Sequence, residues 1–249
     1  MTAMISIPTL DGAMMPAYRA TPADTPRAAI VVIQEIFGVN AGIRRKCDTL
    51  AEAGYLAIAP DLFWRIEPGI ELDPDIAPEM ERALELMGHF DQNEGIRDIE
   101  AAIRFARDQD GVAKVGAVGY CLGGRLAYMT AARTDVDASV GYYAVGVHGL
   151  LGEKHAIAKP LMLHIAGEDG FVDKDTQAAM HAGLDDHLKV TLHDYAGEDH
   201  GFATEFGKRR SDAAATLKRL PCRSTAVRMC KATSSSTDAT SNCSGTSTS

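Results

Sequence analysis

The chain has 249 residues, 46% apolar and 24% charged, with 23 Gly, 10 Pro and 6% aromatic residues. This is globular composition and excludes collagen, coiled coil and bulk disorder. A net charge of −9 with scattered basic residues offers no phosphate-tracking surface, so nucleic acid is excluded as a partner. The longest apolar runs, 28–33 and 55–59, fall far short of the roughly 20 residues needed to cross a bilayer, so no membrane span is expected.

In chain order, the pattern begins with a short hairpin, strands around 5–7 and 14–19 joined by the turn Thr9-Leu10-Asp11-Gly12-Ala13. Fully apolar runs then predict buried strands over 28–37, 55–59, 112–119, 138–143, 160–166 and 190–195. Between them, amphipathic spacing predicts helices over 41–53, 78–90, 94–108, 123–132 and 175–187, with Asn93 and Asp173 as N-caps. Alternation of this kind implies an α/β fold, a single mostly parallel central sheet with helices on both faces. One domain over 1–220 fits the length prior. From Pro221 to Ser249, 14 of 29 residues are Ser or Thr and no structural period remains, so this tail is expected to be disordered and an atypical C-terminus.

No basic region precedes the first apolar residues, the first Lys or Arg being Arg19, and no small-residue cleavage pattern follows, so the expected location is cytoplasmic. Of the five cysteines, Cys47 and Cys121 lie in the patterned region and Cys222, Cys230 and Cys243 in the tail. No pair has zinc-knuckle spacing and nothing implies an oxidising compartment, so neither structural zinc nor a disulfide framework is expected.

The strongest chemical signal is Val115-Gly116-Ala117-Val118-Gly119-Tyr120-Cys121-Leu122-Gly123-Gly124, a buried strand entering a helix through Gly-x-Cys-x-Gly. Small residues on both sides permit the sharp turn that exposes a nucleophile at the carboxyl end of a sheet. A helix beginning at Leu122 aims its N–H groups and positive dipole end at the sulfur, favouring the thiolate and an acyl oxyanion. The competing reading is an inert packing cysteine in a tight turn. The glycines do not make G-x-G-x-x-G, which removes the dinucleotide-binding reading.

In an elbow-type hydrolase the acid and then the histidine follow the nucleophile on loops after later strands. Here Gly167-Glu168-Asp169-Gly170 follows one expected strand, and Ala196-Gly197-Glu198-Asp199-His200-Gly201-Phe202 follows the next. His200 suits proton transfer and Asp169 its orientation, with Glu168 and Asp173 as rival acids. Taken singly, Asp169 reads equally well as an exposed turn acid and His200 as a surface loop residue. The third element, Gln34-Glu35-Ile36-Phe37-Gly38-Val39-Asn40, puts a carboxylate at the end of the first long buried strand, where it needs a partner or solvent. The loop also follows the strand that normally supplies the second oxyanion amide, here the N–H of Ile36.

These segments, together with Ala59-Pro60-Asp61-Leu62, Gly141-Tyr142-Tyr143 and His200-Gly201-Phe202, resemble dienelactone hydrolase (carboxymethylenebutenolidase), a cysteine-dependent α/β-hydrolase, over most of 1–220. The resemblance implies an α/β-hydrolase fold with Cys121, Asp169 and His200 as catalytic triad. It makes the amides of Ile36 and Leu122 the oxyanion donors and Glu35 the carboxylate that contacts the thiol. Family members active on dienelactone hold the substrate carboxylate with two arginines. Here Met80 and Thr204 occupy those positions, with Arg82 two residues from the first. Met and Thr cannot make bidentate contacts to a carboxylate, so substrate identity departs from the resemblance.

The expected activity is hydrolysis of a small lactone or ester through a covalent acyl-enzyme, needing no metal and no organic cofactor; the sequence leaves the oligomeric state open, with a monomer favoured. Arg82 is a weak candidate for substrate binding, against its reading as a solvated charge between Glu81 and Glu85. Met80, Leu84, Met87, Tyr143 and Phe202 are candidate pocket walls. The alternatives are a non-catalytic binding or redox-sensing module using Cys121, and an acyltransferase on the same site.

Overall fold

The computed structural model describes residues 1–211. Residues 212–249, the tail 221–249 among them, lie outside the described residues.

Eight strands, β1 (Thr2–Pro8), β2 (Met14–Ala20), β3 (Ala29–Ile33), β4 (Leu56–Pro60), β5 (Val115–Tyr120), β6 (Ala138–Tyr142), β7 (Leu161–Ala166) and β8 (Val190–Tyr195), form one sheet in the order β1-β2-β4-β3-β5-β6-β7-β8. The N-terminal hairpin is antiparallel and β2 joins β4 antiparallel; every later pairing is parallel. Strands β3 to β7 are buried along their whole length, as their unbroken apolar runs require for a sheet covered on both faces.

Five helices do the covering: α1 (Ala41–Glu52), α2 (Ala77–His89), α3 (Gln92–Arg107), α4 (Leu122–Arg133) and α5 (Lys174–Leu184). The two-residue period of β3 divides its side chains between them. Val31 and Ile33 pack with Ile99, Ile103 and Leu126 of α3 and α4, whereas Ile30 and Val32 pack with Ile43, Cys47 and Leu50 of α1. Among the described residues, no helix is long and apolar enough to cross a membrane.

Three local expectations need correction. The strand expected over 28–37 stops at Ile33, because the Gln34 side chain accepts from Leu62 N (2.9 Å) and Phe37 O accepts from Leu72 N (2.9 Å). Gly38 completes that turn at φ +75°, where an added Cβ would stand 1.9 Å from Ile70 O. The cap of α3 is Asp91, not Asn93: its carboxylate accepts from Asn93 N (2.8 Å) and Glu94 N (3.3 Å), starting the helix two residues earlier than expected. Val147–Ala156, which carried no expected element, forms a 3₁₀ helix. Asp173 caps α5 as expected, accepting from Thr176 N (2.8 Å).

Candidate active site

Cys121 stands between β5 and α4 at φ +54°, ψ −114°, a conformation that costs a residue with a side chain about 1–3 kcal/mol. The flanking glycines make the turn possible. A Cβ on Gly119 would lie 1.9 Å from Gly123 O, and one on Gly123 would lie 2.4 Å from Ile33 O and 2.5 Å from Gln34 O. The first turn of α4 therefore rests directly on the end of β3, next to the loop carrying Glu35 and Ile36. Among the described residues, neither the Ile36 nor the Leu122 amide donates to another backbone group. Both amides lie where the end of β3 meets the start of α4.

His200 follows β8 and Asp169 follows β7. The His200 Nδ1 lies 3.0 Å from Asp169 Oδ1 and 2.9 Å from Oδ2, with side chains only 8% and 1% exposed. Of the three acids considered, Asp169 alone takes this position: Glu168 is exposed and pairs with Lys174 (2.9 Å), and Asp173 caps α5. The two loops are joined by the Asp199 carboxylate, which accepts from His200 N (2.6 Å) and Gly170 N (3.1 Å), and by Glu168 N donating to Glu198 O (2.8 Å).

Cys121 is the other side chain that acts favourably on the His200 imidazole. Burial works against a charged imidazole, but the hydrogen bond to Asp169 and the influence of Cys121 more than offset it, pushing the pKa up to about 10. Tyr143 and Phe171 pack edge-on against the His200 ring, with centroids 4.9 and 4.7 Å away. Phe171 is 60% exposed, so an apolar face borders the histidine on its open side.

Glu35 is half-buried as a residue, with its carboxyl enclosed by protein atoms. Burial raises its pKa against the opposing charges of His200, Lys46 and Arg209. The Tyr143 hydroxyl adjoins the same carboxyl without a hydrogen bond of good geometry. Cys121, His200, Asp169, Glu35, Ile36 and Leu122 thus gather at the carboxyl edge of the sheet.

Arg82 does not join them. Its guanidinium is held by Glu67 and by Glu85, the latter at 2.5 Å. Of the candidate wall residues, Phe202 is buried core among Tyr142, Tyr143 and Tyr195, Leu84 and Met87 are exposed on α2, and Met80 packs partly against the core. Sequence reading missed Lys46 and Arg209. Lys46 sits on an amphipathic helix, where a lysine ordinarily marks a solvated face. Arg209 lies over the Phe171 ring (5.6 Å) with Nη1 3.4 Å from His200 O; no motif marks it.

The family model for the dienelactone hydrolase family matches residues 15–221. A candidate carboxymethylenebutenolidase of Azospirillum brasilense is 44% identical over 216 residues, 86% of this chain and 93% of that protein. The carboxymethylenebutenolidase of Pseudomonas putida is 40% identical over 218 residues, 87% and 92% of the two chains. A solved structure of a candidate dienelactone hydrolase from Klebsiella pneumoniae superposes with a TM-score of 0.74 at 29% identity, covering 87% of this chain and 93% of that one. Matches of this extent to an α/β sheet with this edge place the chain in the dienelactone hydrolase family, as a carboxylic ester hydrolase of the α/β-hydrolase fold.

Proposed function

We propose that the chain hydrolyses a small lactone or ester through a Cys121–His200–Asp169 triad and a covalent acyl-enzyme. The observation that carries this reading is the buried His200–Asp169 pair (2.9 Å), gathered at one edge of the sheet with a cysteine held at positive φ at the head of α4. His200 holds the proton given up by the Cys121 thiol while the sulfur attacks the carbonyl carbon, and Asp169 orients the ring and stabilises the imidazolium. The carbonyl oxygen becomes an oxyanion that accepts from the Ile36 and Leu122 amides. Collapse breaks the ester C–O bond, and His200 protonates the leaving oxygen, which stays tethered to the acyl chain when the substrate is a lactone. Water then attacks the thioester carbonyl and gives its proton to His200. The second collapse releases the acid, and the proton returns to sulfur. Glu35 assists removal of the thiol proton. No step calls on a metal or organic cofactor.

A lactone substrate accords with what the Pseudomonas putida relative is named for. The absence of arginine at Met80 and Thr204, with Arg82 occupied by Glu67 and Glu85, favours a substrate whose affinity comes from the apolar rim at Phe171. The test is hydrolysis of dienelactone beside an uncharged activated ester of similar size, in wild type and Cys121→Ala. Wild type is expected to cleave the neutral ester at least as well as dienelactone, and the variant to lose turnover by about 10³-fold or more. Preference for dienelactone overturns the specificity part and points to Arg209 as the rim cation. Equal turnover by Cys121→Ala overturns the mechanism, and wild type inert on both substrates favours a thiol-sensing role.

A further inference from the structure

A buried side-chain amide requires acceptors for its N–H groups. Gln177, in the first turn of α5, is only 9% exposed, and its backbone is fixed by Gln177 N donating to the O of the helix cap Asp173 (2.9 Å). Its side-chain Nε2 donates to Val172 O (2.7 Å) and Ala166 O (3.3 Å) and reaches Gly167 O (3.5 Å). Ala166 and Val172 stand three residues before and three residues after Asp169. One buried amide thus ties together the two ends of the turn whose middle residue is the acid. The middle of that turn faces the histidine: Asp169 meets Nδ1 of His200, and the Phe171 ring packs against the imidazole (4.7 Å). Lys174 also donates to Gly167 O, but its side chain is 66% exposed and shared with the exposed Glu168, so it holds the turn weakly.

We propose that Gln177 is a positioning residue of the reaction: its buried amide closes the 166–172 turn and so sets the Asp169 carboxylate against Nδ1 of His200. The inference rests on the Cys121–His200–Asp169 reading, in which Asp169 orients the ring. An aspartate side chain is short, so its carboxylate goes where the backbone of its turn carries it. The bond to Nδ1 is directional, and a misplacement of about 1 Å at a catalytic group can cost about 10²-fold in rate. Gln177 touches no reacting atom. It acts through the turn, as a support whose own geometry is locked by burial and hydrogen bonds. Packing alone does not call for an amide here, since methionine has nearly the same length and adapts to an enclosed space.

A brace acting through Asp169 and a side chain that merely packs differ in how their loss combines with Asp169→Asn. The experiment uses the full chain and measures kcat and KM on the neutral activated ester, with the low-field proton resonance of the His200 Nδ1–H recorded alongside. The variants are Gln177→Met, which removes the donor at nearly the same length, and Gln177→Glu, which keeps the shape and turns an acceptor toward the three carbonyls. Each is made in the wild-type and the Asp169→Asn backgrounds, and either one that folds carries the test. The expected result is a fall in kcat of about 10-fold to 10²-fold with KM changed by less than about twofold, together with a displaced Nδ1–H resonance. In the Asp169→Asn background the same change lowers kcat by less than about twofold, because the carboxylate it positions is gone. An unchanged kcat or an unmoved resonance in a folded Gln177 variant, or a loss of equal size in the Asp169→Asn background, overturns the proposal and leaves Gln177 as packing. If Asp169→Asn itself keeps wild-type kcat, the triad reading fails and the proposal with it. A fall in Asp169→Asn without one in the Gln177 variants defeats the proposal alone.

Discussion

At His200, Nδ1 faces both oxygens of Asp169, and Cys121 is the other side chain acting on the ring. The carboxylate fixes the tautomer, since an acceptor opposite Nδ1 keeps a proton on Nδ1 and leaves the lone pair of the neutral ring on the other nitrogen, the one that can take a proton from sulfur. Asp169→Asn keeps the shape of the site but offers the ring an amide. The expected outcome is a fall in kcat of about 10⁴-fold with KM little changed, read by steady-state kinetics on a folded variant. The residue types and their order after Cys121 were legible in the sequence. The choice of Asp169 over Glu168 and Asp173 was not, because it depends on which carboxylate the turn after β7 faces inward. Phe171 N donating to Asp169 Oδ1 (2.8 Å) helps fix that orientation.

At the scale of elements, the elbow depends on the contact of α4 with the end of β3. Gly123 permits it, and the two atoms that would meet an added Cβ are backbone carbonyl oxygens, which cannot rotate away. Gly123→Ala is expected to cost about 1–3 kcal/mol in urea unfolding through overpacking. It should also lower kcat by about 10²-fold by displacing the Leu122 amide from the oxyanion position. Gly88→Ala on α2, where an added Cβ meets nothing within 4 Å, is the control and should be neutral or stabilising by about 0.4–1 kcal/mol. Element type and order were legible from hydrophobic period alone. Element ends were less so: β3 stops at Ile33 because Leu62 and Leu72, about thirty residues later in sequence, take the hydrogen bonds of the loop that follows.

Across the whole molecule, pH acts on stability through a histidine buried on β7, two strands from the one that leads into Cys121. His164 on β7 is stacked between Tyr142 (4.4 Å) and His193 (5.5 Å), with Nδ1 2.9 Å from the Tyr195 hydroxyl. Burial, aided by His193, holds its pKa well below the ordinary 6.5. A histidine depressed in the folded state contributes stability that is fully present above the unfolded pKa and is lost as pH falls below it. From this one group the loss approaches about 1.4 kcal/mol per pH unit below about pH 6.5. Urea midpoints at pH 7 and pH 5 should therefore fall further apart in wild type than in His164→Gln, which keeps a hydrogen-bonding side chain but does not titrate. Equal pH dependence in the two proteins would remove His164 from the acid response.

The sequence by itself determined the alternation of strands and helices, the parallel sheet and the residue types of the candidate triad. Each of these is written in local periodicity or in a short motif whose spacing carries its geometry. Only the tertiary structure decided which acid meets His200, that Arg82 is held by Glu67 and Glu85, and that Lys46 is buried against Glu205, 159 residues away in sequence. Those outcomes depend on which surfaces meet when the chain closes. Side-chain pairing across long sequence separations is an energetic result of that closure, and it leaves no period in the chain to read.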